Sequence, residues 1–151
     1  ALDTDALEHM IYESCNIKRE VVENDPKEKG ERALLNFGHT LGHAIEKEMN
    51  FSLYHGECVV LGMIAALNIC VELGTITGEE RDDALKTFAL YEFPDHVTGI
   101  KIDDVVAVSK NDKKMDAGKV KFILLKSVGD AYIDRDITDD QMRRALEGVI
   151  R

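Results

Sequence analysis

The sequence predicts a mainly α-helical domain carrying one small β-hairpin. Apolar residues recur at helical spacing through most of the 151 residues. One segment, "KVKFILLKSVGDAYI", instead alternates and is rich in β-branched residues. No strand leads into a helix through a GxGxxG or GxxxxGKS loop, so a nucleotide-binding sheet of alternating βα units is not expected. The length, with 44% hydrophobic and 32% charged residues, fits one globular domain spanning 1–151 around a single core.

From Thr4 to Val22 the residues Leu7, Met10, Ile11, Ile17 and Val21 fall on a helical stripe, with Thr4 or Asp5 as N-cap. "NDPKEKGER" interrupts it: Asp25 can cap, Pro26 suits a first helical turn, and Gly30 weakens any helix running through it. A second helix is expected from Glu31 to Met49. "FSLYHGE" is a short connection into "ECVVLGMIAALNICVEL", which is apolar for nearly its whole length until Gly74 and reads as the central helix. Thr77 followed by Glu80 is a capping box, opening a fourth helix that Pro94 ends. "KIDDVVAVSKNDKK" opens a fifth helix at Asp103. The hairpin turns through Ser127, Val128, Gly129 and Asp130, and a last helix is capped at Thr138 or Asp139.

A formal net charge of -10 argues against nucleic acid or an anionic membrane as partner, because both recruit lysine and arginine. No uncharged run reaches the 18 residues a membrane span needs, and the first residues lack a basic stretch before an apolar one, so neither span nor signal peptide is expected. Cys15, Cys58 and Cys70 are odd in number and form no CxxC motif, which predicts reduced packing thiols and a cytoplasmic protein. The chain enters its first helix abruptly, as a piece of a longer protein would.

Three of the five histidines lie in "RALLNFGHTLGHAIE" and the following "LYHGECVV". On one continuous helix Arg32, Asn36, His39 and His43, at steps of four, three and four, form a polar ridge opposite Leu34, Leu35, Leu41 and Ile45. Gly38 and Gly42 flank the histidines at a cost of about 1 kcal/mol each, which implies close approach by another backbone or a ligand. Two histidines at i and i+4 can share one metal, and His55 in "HGE" can fold back against them. The spacing leaves two readings open: hydrogen-bonded packing histidines, or a metal or anion site. His9, His96 and the runs "EERDD" and "TDDQMRR" read as solvated surface.

"DPKEKGERALLNFGHTLGHAIE", "HGECVVLGM", "NDKK" and "GKVKFILLKSVGDAYI" together resemble the C-terminal helical domain of 3-dehydroquinate synthases, over nearly the whole chain. The resemblance implies a shikimate-pathway lyase that converts 3-deoxy-arabino-heptulosonate 7-phosphate to 3-dehydroquinate and phosphate, using NAD and a divalent metal such as Zn2+ or Co2+. It implies His39 and His55 as metal ligands, and His43 and Glu28 as catalytic residues, with Asp25 on a second acidic motif position. It implies Lys18, Arg32, Asn36 and either Lys113 or Lys114 as substrate contacts. Those cations suit a substrate bearing a carboxylate and a phosphate. Leu41 stands where an aromatic is frequent, Cys58 where alanine is common, and Pro26 where an acid is frequent; none of these removes a ligand.

The same resemblance implies an N-terminal domain, outside this chain, that holds NAD and supplies a glutamate to the metal. The chain alone is therefore expected to be inactive, and the family's tendency to form a homodimer carries over. Related sugar-phosphate cyclases of the 2-deoxy-scyllo-inosose synthase type would share the histidines, but their substrate has no carboxylate, so Lys18 and Arg32 favour the first reading. Iron-dependent alcohol dehydrogenases fit "LNFGHTLGHAIE" less well. The non-enzymatic alternative is a stand-alone helical metal-binding or interaction module.

Overall fold

A computed structural model describes residues 3–27, 30–110 and 120–151. The chain divides into two compact units, Ala1–Leu35 and Asn36–Arg151. The first contains helix α1 (Thr4–Asn24), whose N-cap is Asp3 rather than Thr4 or Asp5: its Oδ1 accepts from the amides of Asp5 at 2.9 Å and Ala6 at 3.2 Å. After α1, Asp25 organises the turn by accepting from the amides of Gly30 at 2.8 Å and Arg32 at 3.2 Å. Cys15 is exposed on α1, so it is not the packing thiol expected of all three cysteines.

The expected helix over 31–49 is not continuous. Glu31–Asn36 is a 3₁₀ helix, and α2 begins only at His39 and runs to Glu48. Gly38 separates them with φ 80° and ψ -17°, a left-handed conformation that glycine adopts without penalty. The helical ridge from Arg32 to His43 is therefore not formed, and only His39 and His43 share an α-helical face.

The reason for the break lies in α3 (His55–Glu72), the apolar central helix of the second unit. A Cβ on Gly38 would stand 2.7 Å from the Val59 carbonyl oxygen, and one on Gly42 would stand 2.8 Å from the Cys58 carbonyl oxygen. One on Gly62 would stand 1.9 Å from the Gly38 carbonyl oxygen. Three glycines thus bring two backbones into direct contact, which answers why helix-weakening residues sit there. By length and composition α3 is apolar enough to cross a membrane, but most of it is buried inside this unit.

The rest of the second unit wraps α3. Helix α4 (Gly78–Leu90) starts at the Thr77/Glu80 capping box, in which the Glu80 carboxylate accepts from the Thr77 amide at 2.7 Å. It ends before Pro94, at a turn where Glu92 takes φ 60°. Helix α5 (Ile102–Ser109) opens one residue before Asp103, with Lys101 at its N-cap position making no side-chain capping bond. Strands β1 (Phe122–Ser127) and β2 (Asp130–Asp134) form an antiparallel hairpin pairing Ile123 with Ile133 and Leu124 with Tyr132, and Gly129 at φ 90° makes its turn. Helix α6 (Asp139–Leu146) opens at a second capping box, Thr138 with Gln141.

The core joins Leu41 and Ile45 of α2, Leu61 and Ile69 of α3, Val105 of α5, Leu124 of β1, and Met142 and Leu146 of α6. Polar ties fix the surrounding elements. The Thr40 hydroxyl donates to the Lys121 carbonyl at 2.8 Å, the Leu125 amide to Cys70 Sγ at 3.3 Å, and the Asn68 amide to the Ala145 carbonyl at 3.0 Å.

Candidate functional site

Because α2 crosses α3 at glycine contact distance, one edge of α2 is carried to the N-terminal turn of α3. His39 opens α2, His43 follows one turn later, and His55 opens α3. The connection between the helices is a tight reverse turn in which Asn50 and Phe51 both take positive φ, at 50° and 57°. Such conformations cost of order 1 kcal/mol or more outside glycine, and here they return the chain within a few residues. The Phe51 amide donates to the Glu46 carbonyl at 3.0 Å, closing that turn.

The three imidazoles form a triangle. Ring centroids are 5.4 Å apart for His39 and His43, 5.5 Å for His39 and His55, and 5.2 Å for His43 and His55. Glu46, three residues after His43, was not assigned a role from the sequence. Its Oε2 lies 3.2 Å from His43 Nδ1 and 3.3 Å from His55 Nδ1. His39 Nδ1 is 3.2 Å from the Phe37 carbonyl oxygen. Exposure grades across the group, from 15% of the Glu46 side chain to 35% of His43 and 52% of His55.

Burial by itself would raise the Glu46 carboxyl, but hydrogen bonds from His43 and His55 and their coulombic attraction outweigh it and hold the group below the usual carboxylate range. Buried Cys58, beneath the same site, is pushed up to about 11 by desolvation and by Glu46 and Glu57. Burial therefore keeps it a thiol at neutral pH. Donor atoms of His43, Glu46 and His55 all lie within 4.8 Å of one another. This cluster includes Glu46 and differs from the His39 and His55 pair that the motifs imply; its carboxylate can serve a divalent ion such as zinc as a ligand or by orienting the imidazoles.

Residues 1–115 match the family described as 3-dehydroquinate synthase C-terminal. The chain belongs to that family. It is 39% identical to the 3-dehydroquinate synthase of Acinetobacter baumannii (strain AYE) over 97% of its length, and 43% identical to that of Clostridium botulinum (strain Alaska E43 / Type E3) over 85%. These alignments take in 41% and 37% of the relatives, so the chain spans about two fifths of the length of a 3-dehydroquinate synthase.

Among solved structures, the chain resembles 2-epi-5-epi-valiolone synthase from Streptomyces hygroscopicus subsp. jinggangensis 5008, determined with NAD+ and Zn2+ bound. The TM-score is 0.76 at 25% identity, over 86% of this chain and 36% of that one. A 2-deoxy-scyllo-inosose synthase gives a TM-score of 0.77 at 21% identity over 97% of this chain and 41% of that one, a likeness of fold. The mainly helical architecture with one hairpin is thus that of the synthase C-terminal family.

Of the residues singled out in the synthase motifs, His39, His43 and His55 come together, with Glu46 added to them. Asn36 ends the 3₁₀ helix just before Gly38. Lys18 and Arg32 belong to the Ala1–Leu35 unit, Lys18 exposed on α1 and Arg32 donating from Nη1 to the Pro26 carbonyl at 3.1 Å. Glu28, Lys113 and Lys114 lie outside the described residues. His9 is exposed, and His96 pairs with Asp95 at 2.6 Å. The signal for Glu46 was present as His-x-x-Glu on one helical face, although its second partner comes from another helix.

Proposed function

We propose that this chain is the helical, metal- and substrate-holding part of a 3-dehydroquinate synthase, acting on 3-deoxy-arabino-heptulosonate 7-phosphate in the shikimate pathway to give 3-dehydroquinate and phosphate. The observation that carries the reading is the triangle of His39, His43 and His55 in a chain of this family. His39 and His55 would hold the metal, Zn2+ or a similar ion such as Co2+, through neutral imidazole nitrogens. When bound, the metal and NAD supply polarisation of a substrate hydroxyl and a hydride acceptor. His43 can exchange a proton with the reacting part of the substrate, as can Glu28 from its acidic motif position. Lys18, Arg32, Asn36 and Lys113 or Lys114 bind the carboxylate and phosphate.

The sheet among the described residues is a two-stranded antiparallel hairpin, with no parallel βαβ unit to hold a dinucleotide. The match to a C-terminal family across about two fifths of the relatives' length supports a further N-terminal domain, which would hold NAD and complete the metal shell. Three free thiols support a reducing, cytoplasmic location. A homodimer follows from the family habit alone.

The test is phosphate release from the heptulosonate substrate with NAD and Zn2+. A protein of the relatives' full length is expected to turn over, the 151-residue chain to be inactive, and His39→Ala in the longer protein to remove most activity. Comparable turnover by this chain alone would refute the two-domain reading. The second reading, a related sugar-phosphate cyclase, is favoured by the likeness to 2-epi-5-epi-valiolone synthase. It predicts turnover of a substrate without a carboxylate by the same longer protein. A stand-alone module would bind metal and turn over neither substrate.

A further inference from the structure

We propose that Glu46 is a positioning residue whose single carboxylate accepts Nδ1–H from both His43 and His55, fixing both rings in the tautomer that leaves the lone pair on Nε2. The tautomers rest on hydrogen bonding alone. Their consequence for a metal rests on the function proposed above.

The argument starts from what each partner can do. A carbonyl oxygen only accepts, so His39, 3.2 Å from the Phe37 carbonyl, carries its hydrogen on Nδ1 and its lone pair on Nε2. An ionised carboxylate also only accepts. Glu46 Oε2 is 3.2 Å from His43 Nδ1, and His55 Nδ1 is 3.3 Å from both Glu46 oxygens, so two donors meet on one carboxylate and both rings carry the same tautomer as His39. The two nitrogens of an imidazole face away from each other, so anchoring Nδ1 also sets where Nε2 is offered.

Glu46 reaches these rings from two elements. His43 is three residues back on α2, while His55 is the first residue of α3 across the reverse turn. One side chain therefore couples the orientation of a proposed metal ligand to that of the proposed proton-exchanging histidine. Histidines that bind metals almost always donate their other N–H to a carboxylate or carbonyl, and here all three have that arrangement. The competing role, Glu46 as a direct ligand beside Nδ1 of His43 and His55, requires both rings in the opposite tautomer. It also leaves His39 out, because its Nδ1 already donates to Phe37.

Long-range 1H–15N correlation spectra of the metal-free 151-residue chain, at a pH where the imidazoles are neutral, report each tautomer directly. His43 and His55 are expected as Nδ1–H. In Glu46→Ala both should move to a majority of Nε2–H while His39 keeps Nδ1–H, which also shows that the fold persists. The Nε2–H form at either ring in the wild type, or unchanged tautomers in the variant, would overturn the proposal. Should the variant fail to fold, the wild-type spectrum still decides.

Zn2+ alone is then titrated into both proteins. The Nε2 resonance of His55 should shift in the wild type, and Glu46→Ala should weaken binding by about 10- to 100-fold. Coordination through Nδ1 or through the Glu46 carboxylate would overturn the positioning role. No binding by the wild type, with both Nδ1–H tautomers observed, would count against the metal function and leave the tautomer assignment standing.

Discussion

Replacing Gly62 with alanine probes the helix crossing on which the site depends. The new Cβ would lie 1.9 Å from the Gly38 carbonyl oxygen, 2.6 Å from the Gly42 nitrogen and 2.9 Å from the Gly42 Cα. Every obstacle is backbone, so no side-chain rotation relieves it. Ordinary contact begins at 3.4 Å, and α2 and α3 must therefore part locally by about 1.5 Å. Alanine gains about 1 kcal/mol of helix propensity over glycine. Overpacking costs about 1–3 kcal/mol, and more where backbone has to move. Opening a seam by even 0.5–1 Å forfeits roughly a quarter to a half of each dispersion contact along it.

The expected balance is a net loss of about 2 kcal/mol. It should be read as a lowered urea midpoint at unchanged slope. The same separation moves His39 and His43 away from His55, so the variant should also bind Zn2+ more weakly. Gly56→Ala is the control, since a Cβ there meets nothing within 4 Å. If Gly62→Ala unfolds at the wild-type midpoint, the close crossing is wrong.

Cys15 should be the one thiol that reacts with an alkylating reagent in the native chain at pH 8, with Cys58 and Cys70 reacting only on unfolding; two or more native thiols would contradict their burial. Because burial raises Cys58 from 9.0 to about 11, the unfolded thiol ionises first, and stability should fall as pH climbs through that window. The Arg144 hydrogen bond and charge hold the Glu72 carboxyl below its usual 4.5, so its contribution is present above that pH and is lost as pH falls through the lower folded value. Arg144→Ala should flatten this acid limb in a pH series of denaturation midpoints, and an unchanged limb would show that the pair is inert. Leu146→Ala removes a fully buried side chain and should cost about 2–5 kcal/mol by the same denaturation assay.

The elements readable from the sequence are those whose causes are local. Thr77 with Glu80 and Thr138 with Gln141 cap helices through bonds spanning three residues, so their starts are encoded where they occur. The alternation around Gly129 specifies a hairpin in the same way, and the apolar run after His55 identifies the central helix. His39 and His43 share a face because four residues on a helix make little more than one turn.

The break at Gly38 was not readable, since helical spacing continues straight through it. Its left-handed conformation answers to Val59, Gly62 and Met63 on another helix, and it ends the ridge that Arg32 and Asn36 would have extended. Burial separated the thiols likewise: Cys58 and Cys70 lie on the core helix and Cys15 does not. Glu46 shows the division most plainly. The sequence by itself determined that a carboxylate and two histidines occupy one face of α2, through the helical repeat alone. That the carboxylate also reaches His55 was decided by tertiary structure, because backbone contact at three glycines is what brings the start of α3 to the side of α2.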